Sequence, residues 1–279
     1  DQIYSPAATT DFSQAPSREM SWIDSNRFLF STSRDTDTSE LTTIEASTGK
    51  RAGLFDQNKL QKALEELTGV DPDVAHKISH PPSFSFDIRG ETIVLSARDD
   101  LYLYSLASGR LKQLTSADGK EEQPEFSPDG RSVAFVRANN LYVIDVAEGK
   151  EHPLTSDGTS AVLNGKLDWV YQEEIYGRGT FRAFWWSPDS KRIAYLQLDE
   201  SPVFPFTIID HLPVRQGVET ENYPKAGDPN PIARLFIAPR SGGSSVEVKL
   251  ENCASSARPP GLGFRGRRRR VANRLETLF

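Results

Sequence analysis

The chain has 279 residues, 37% hydrophobic and 26% charged, ordinary proportions for a globular protein long enough for one large all-β domain or two smaller ones. No apolar run approaches the roughly 20 residues of a bilayer-spanning helix. The net charge of −6 hides an asymmetry: from Asn252 to Phe279 seven Arg stand against one Glu, leaving −12 on residues 1–251, an acidic body that repels nucleic acid and attracts cations.

Cys253 is the only cysteine, which excludes an internal disulfide and a thiolate metal cluster. His76 and His80 have the i, i+4 spacing of a helical metal pair. No HExxH pattern or acidic third ligand accompanies them, so neither a metal nor any other cofactor is expected.

Along the chain the first unit is faint, running from Trp22 to Phe28-Leu29-Phe30 and followed by Leu41-Thr42-Thr43-Ile44-Glu45 with Thr48-Gly49. Asp56 to Thr68 then places Leu60, Ala63, Leu64 and Leu67 at helical spacing, with Asp56 as N-cap and Gly69 as the stop. This helix is expected to pack on the body, the alternative being a partner-binding helix. The unit returns as Phe86-Asp87-Ile88-Arg89-Gly90-Glu91 with Ile93-Val94-Leu95, and more clearly as Phe126-Ser127-Pro128-Asp129-Gly130-Arg131 with Val133-Ala134-Phe135. Its last copy is Trp186-Ser187-Pro188-Asp189-Ser190-Lys191 with Ile193-Ala194-Tyr195. Each copy is a strand end, a Pro/Asp/Gly turn and a β-branched strand, which spells a hairpin.

A second hairpin follows each first one. Leu101 to Leu106 leads through Ser108-Gly109 to Gln113-Leu114-Thr115, Leu141 to Val146 leads through Glu148-Gly149 to Pro153-Leu154-Thr155, and Leu235 to Ala238 precedes Ser241-Gly242. Two hairpins in roughly 40 residues is the signature of a four-stranded propeller blade. The chain is therefore expected to be all-β, an incomplete propeller of about four blades over residues 1–251. Residues 252–279 form a separate basic tail, either a nucleic-acid or acidic-surface binder or the product of a shifted reading frame. Gly261, Gly263 and Gly266 satisfy GxGxxG there, but without a preceding strand they make no dinucleotide site.

Asp157 to Phe184 breaks the repeat, and such departures tend to carry function. It contains LDWVYQEEIYGRG, Leu167 to Gly179, in which Glu173 and Glu174 stand among Trp169, Tyr171 and Tyr176. Read as a helical turn, Asp168 is its N-cap, Trp169 and Tyr176 share the packed side, and the glutamates lie on the next. Two close carboxylates repel unless a cation lies between them, and a primary ammonium has the three donors to satisfy both. The alternative is a pair of surface glutamates.

This stretch resembles the double-glutamate motif of the dipeptidyl peptidase IV family of serine peptidases. Phe184-Trp185-Trp186-Ser187-Pro188-Asp189 with Ile193-Ala194-Tyr195, and Tyr223-Pro224-Lys225-Ala226-Gly227 through Asn230-Pro231, match in order. The resemblance spans about Trp22 to Leu250, and Gln172 departs from it where relatives often carry a third Glu. It implies the N-terminal half of an eight-bladed propeller that caps an α/β-hydrolase domain, in an enzyme releasing dipeptides with Pro or Ala second. It further implies that Glu173 and Glu174 bind the α-ammonium of peptide N-termini, with Arg98 as the arginine that holds the peptide carbonyl or else a surface residue. A homodimer and a bacterial periplasmic, secreted or membrane-associated location come with the resemblance. The sequence contains no GxSxG elbow, so the chain alone is expected to be inactive as a peptidase. The other class of function left open is a non-catalytic propeller scaffold for protein–protein interaction.

Overall fold

A computed structural model of the chain describes residues 20–31, 41–67, 69–81, 84–176, 180–210, 212 and 214–249. The tail from residue 252 and Gly177 to Gly179 of the acidic motif lie outside the described residues. The described residues fall into two units, one reaching Phe84 and including 106–111, the other made of Ser85–Ser105 and the residues from Lys112 onward.

The first unit opens with an antiparallel meander of β1 (Met20–Trp22), β2 (Arg27–Ser31), β3 (Leu41–Glu45) and β4 (Arg51–Gly53), paired in chain order. Two helices follow. In α1 (Gln57–Glu65) Asp56 accepts from the Asn58 N–H at 3.1 Å, and Leu60 and Leu64 are fully buried. The helix is shorter than the expected 56–68. The Glu66 N–H still donates to Lys62 O at 3.1 Å, but the Leu67 N–H donates to Leu64 O at 3.0 Å, a tightened closing turn that ends the α ladder before Gly69. In α2 (Pro72–Ser79), capped by Asp71, the two histidines do fall one turn apart, His76 inside the helix and His80 as its C-cap, and their rings stack at 4.2 Å. His76 Nδ1 meets Gln61 Oε1 at 3.2 Å, so this ring joins α2 to α1.

The second unit repeats the meander. One sheet holds β5 (Ser85–Phe86), β6 (Thr92–Ala97), β7 (Asp100–Ser105) and β8 (Leu111–Gln113). The next holds β9 (Glu121–Phe126), β10 (Ser132–Arg137), β11 (Asn140–Asp145) and β12 (Glu151–Pro153). In the third, β13 (Val162–Asn164) and β14 (Phe184–Trp186) both pair with β15 (Arg192–Asp199). A hairpin of β16 (Pro205–Asp210) and β17 (Gly217–Asn222) intervenes before β18 (Ile232–Pro239) and β19 (Val246–Glu247) complete that sheet. The hairpin is exposed almost throughout, including Ile208, Ile209 and Val218.

Packing follows from strand periodicity. Every residue of β10 is buried because its sheet is covered on both faces. Val133 and Phe135 point to one side, onto Val94, Leu101, Leu103 and Phe126. Ala134 and Val136 point to the other, onto Phe184, Ile193, Tyr195 and Ala238. Each large side chain so buried contributes about 1.5–3 kcal/mol.

The SPD turns lock the sheets. Ser127 Oγ donates to Asp129 Oδ1 at 2.6 Å and accepts from the Ser132 N–H at 3.0 Å, and Ser187 does the same with Asp189 and Arg192 at 2.6 and 2.9 Å. The residue after each Asp is left-handed, Gly130 at φ 69° and Ser190 at φ 59°. At Gly130 a Cβ would stand 3.2 Å from the Ile88 side chain, so glycine fits the close approach.

Candidate functional site

The acidic motif rises out of the edge of the third sheet, between β13 and β14. β13 pairs with β15 as far as Asn164↔Gln197, and β14 resumes at Phe184↔Tyr195. Opposite the intervening Leu196, the Gly165 N–H donates to Leu196 O and the Leu196 N–H donates to Ala183 O, each at 2.9 Å. The Ala183 N–H also donates to Gly165 O at 2.9 Å. The insertion therefore leaves and returns at one rung and runs from Lys166 to Arg182, narrower than the expected Asp157 to Phe184. Val162 to Asn164 are regular sheet. Gly165 is at φ 71°, and a Cβ there would lie 3.2 Å from Leu141 Cδ1 and 3.3 Å from Phe184 Cδ1.

Above the rung, Lys166 and Arg182 form an antiparallel bridge and the Leu167 N–H donates to Phe181 O at 2.7 Å. Asp168 then caps the next turn: its Oδ1 accepts from the Tyr171 N–H at 2.8 Å and its carbonyl accepts from the Gln172 N–H at 3.1 Å. Tyr171–Ile175 is a π-helical turn closed by the Tyr176 N–H on Tyr171 O at 2.8 Å. Such wide turns recur at functional sites.

The wider turn changes which aromatics share a side. Residues five apart stack in a π turn, so Tyr171 and Tyr176 both pack on Leu163, Leu167, Ala183 and Leu198. Trp169 does not join Tyr176 on the packed side as an α-helical reading requires. It is 39% exposed and meets Tyr223 edge-on at 5.0 Å. Tyr223 in turn meets Phe206 at 6.2 Å, and Lys225 lies over the Phe206 ring at 5.1 Å. Glu173 is half-buried and Glu174 exposed on this turn.

The start of the turn is acidic and buried. Asp168 is 4% exposed, its Oδ2 has no hydrogen-bond partner among the described residues, and burial pushes its carboxyl above the ordinary value, against the pull of the Tyr171 N–H. Glu200, also buried, is raised first by burial and further by the charges of Asp168 and Glu221, against a hydrogen bond from Asn222. Among the described residues no group of three or more His, Cys, Asp or Glu side chains is arranged to hold a metal ion.

Arg98 occupies, with Asp99, the two-residue turn between β6 and β7, at φ 51° and 67°. Ala138 and Asn139 fill the matching turn between β10 and β11. Asp99 O accepts from the Glu121 N–H at 2.9 Å and Asn139 O from the Asn164 N–H at 3.0 Å. Each turn thus meets an edge strand of the next sheet, Glu121 at the start of β9 and Asn164 at the end of β13 just before the insertion leaves, which brings the Arg98 turn and the insertion to the same end of the unit. The Arg98 charge lies near Tyr102, whose phenol is raised first by burial and then by Asp100, against the pull of Arg98.

Sequence reasoning missed the partners of the insertion's neck. Lys166 Nζ lies 2.5 Å from Glu122 Oε2, Arg182 NH1 lies 2.9 Å from Glu125 Oε1, and Thr180 Oγ1 donates to Gln123 Oε1 at 3.2 Å. All three partners belong to β9. The signal that could have pointed there is Pro124, since proline inside a strand marks a bulge.

Repeated antiparallel meanders, packed face to face within the second unit, define the class as all-β and propeller-like. The chain belongs to the dipeptidyl peptidase IV (DPP IV) N-terminal region family, whose sequence model matches residues 91–259. It is 35% identical to dipeptidyl aminopeptidase B of Saccharomyces cerevisiae over 130 residues, 45% of this chain and 16% of that protein. It is likewise 35% identical over 160 residues to a probable dipeptidyl peptidase 4 of Aspergillus clavatus, 54% of this chain and 20% of that one. In structure it is similar to the Porphyromonas gingivalis dipeptidyl peptidase 4, with a TM-score of 0.61 and 25% identity over 86% of this chain and 33% of that one. The chain thus spans a fifth or less of these curated relatives' length. Those relatives are fungal, which overturns the expectation of a bacterial, periplasmic protein.

Proposed function

We propose that this chain is the substrate-recognition part of a dipeptidyl peptidase IV-type serine exopeptidase, and that Glu173 and Glu174 bind the α-ammonium of a peptide whose second residue is Pro or Ala. The observation that carries this reading is the placement of two adjacent glutamates on a π turn that follows the Asp168 cap, backed by Tyr171 and Tyr176 on an apolar cluster. Hydrogen bonds between an ammonium and carboxylates are worth about 1.5–3 kcal/mol each. A fixed anion pair also measures distance: a free N-terminus held there sets which peptide bond lies within reach of a nucleophile, and an N-acylated peptide loses its anchor. Arg98, at the same end of the unit, is proposed to hold the peptide carbonyl. No GxSxG stretch occurs in the 279 residues, so recognition and not bond cleavage is assigned to them.

The test is calorimetric titration of the dipeptide Ile-Pro and of N-acetyl-Ile-Pro. Wild type is expected to bind the free dipeptide at least about tenfold more tightly than the acetylated one, and Glu173→Gln/Glu174→Gln is expected to lose the difference. Equal binding of both ligands by wild type would sink the reading.

A further inference from the structure

The insertion is tethered to its own sheet at a single rung, Gly165 and Ala183 opposite Leu196. One rung fixes where a loop starts and ends, and Tyr171 and Tyr176 rest the far turn on Leu163 and Leu198 of the same sheet, which leaves the two legs of the neck to be held from elsewhere. The neck also carries a liability, because Lys166 and Arg182 bridge directly. Like charges directly opposite one another destabilise a strand pair.

Both problems are met by β9 in the neighbouring sheet. A regular strand alternates faces, so Glu122 and Glu125, three residues apart, would point to opposite sides. The register shows otherwise: Glu125 pairs with Ala134 and Glu122 with Val136, with a shift between them. Ala134 and Val136 share the face packed on the third sheet. An extra residue has therefore been taken up between the two glutamates, at Gln123, φ 57°, and Pro124, which has no N–H to give to the ladder. The bulge turns both carboxylates toward the insertion, where Glu122 meets Lys166 on the outgoing leg and Glu125 meets Arg182 on the returning leg, while Gln123 between them accepts from Thr180.

We propose that the bulge of β9 is the seat of the insertion, and that Glu122, Gln123 and Glu125 are positioning residues for the site at Glu173 and Glu174. Three contacts on two legs hold the neck and act together with the packing of Tyr171 and Tyr176. The glutamates also neutralise the two neck cations, so the legs close without mutual repulsion. The proposal rests on the ammonium-binding reading for its consequence, though not for its geometry.

The test uses the full chain, comparing wild type, Glu122→Gln/Glu125→Gln and the exchanged pair Glu125→Arg/Arg182→Glu. Two quantities are measured: the affinity ratio of Ile-Pro to N-acetyl-Ile-Pro, and backbone hydrogen exchange across residues 171–176 against β10 and β11. The double glutamine variant is expected to lose about tenfold in the ratio and to exchange about tenfold faster at 171–176 alone, as a small displacement of a positioned group does. The exchanged pair is expected to recover most of both. Unchanged exchange at 171–176, or equal acceleration in β10 and β11, overturns the seat, the second because it reveals only general loosening. If wild type ignores acetylation, the ammonium reading fails and the exchange measurement still judges the seat.

Discussion

Ser190 Oγ accepts from the backbone N–H of Asp129 at 2.9 Å, joining the turn of the third sheet to the turn of the second across 61 positions of sequence. The same turn in the second sheet carries Gly130, and Ser190 keeps the left-handed backbone that glycine adopts freely. Asp129 is held from a second side by Arg240 NH1 at 2.9 Å.

Ser190 thus trades local strain for a bond between sheets, and the two parts separate by mutation. Ser190→Ala keeps the strain and drops the bond, with an expected loss of about 1–2 kcal/mol. Ser190→Gly drops both and is expected to stay within about 0.5 kcal/mol of wild type. Urea denaturation midpoints compare them.

Gly165 is expected to tolerate no side chain. Alanine at φ 71° costs about 1–2 kcal/mol in backbone conformation, and its Cβ crowds Leu141 and Phe184. Gly165→Ala should lower the thermal midpoint and should weaken Ile-Pro binding as well, because the insertion hinges there. A stability loss with the dipeptide affinity untouched would show that the hinge and the glutamates are independent.

Arg137 is the cation of a buried network. It reaches Glu121 at 2.8 Å and Glu151 at 2.5 Å, and lies over the Tyr142 ring at 4.3 Å. Glu121 is fully covered and also bonded by Thr115, yet burial lifts its carboxyl above the usual range. Arg137→Met leaves that carboxylate without its cation and is expected to cost about 3–5 kcal/mol near neutral pH, measured by denaturation. Mild acid should return part of the loss by neutralising Glu121.

Stability of the site region should rise as pH falls. Asp168 and Glu200 are raised above their ordinary values of 3.8 and 4.5, so the folded chain holds these protons more tightly than the unfolded one. Their stabilisation is fully present below the ordinary values and is lost as pH rises through the folded ones. Glu122 and Asp129 run the other way. Both are lowered, although burial opposes the effect of Lys166 and Lys120 at the first and of Ser127, Arg131 and Arg240 at the second. Their contribution is present above the ordinary values and is lost as pH falls through the folded ones. Asp168→Asn, which keeps an acceptor for the Tyr171 N–H, is expected to flatten the first trend. Melting temperatures from pH 4 to 8 measure it, and an unaltered slope would contradict the burial of that charge.

What could be read in advance was local. The SPD turns and the strands beside them declared themselves because a turn's chemistry is written in four or five adjacent residues. Asp168 as a cap was legible for the same reason. The hairpin of β16 and β17 was not, since PFTIID and GVETEN carry no tight-turn signal and bury almost nothing. Nor was the pairing of Lys166 with Glu122, 44 positions apart, whose geometry exists only once a bulge has turned one strand. The π turn was read as an ordinary helix because YQEEI has no residue that distinguishes the two; the extra width shows only in the Tyr176 N–H bond to Tyr171 O.

One further consequence follows from the rung at Leu196. Because Gly165 and Ala183 already touch there, the sheet beneath is whole without the segment between them, and the strand would run on if that segment were cut away. The acidic element is thus mounted on a hydrogen-bond ladder that is complete without it. Its apolar base, Leu167, Tyr171 and Tyr176, is shared with Leu163 and Leu198 of that sheet, so a graft of the motif has to carry those three side chains with it.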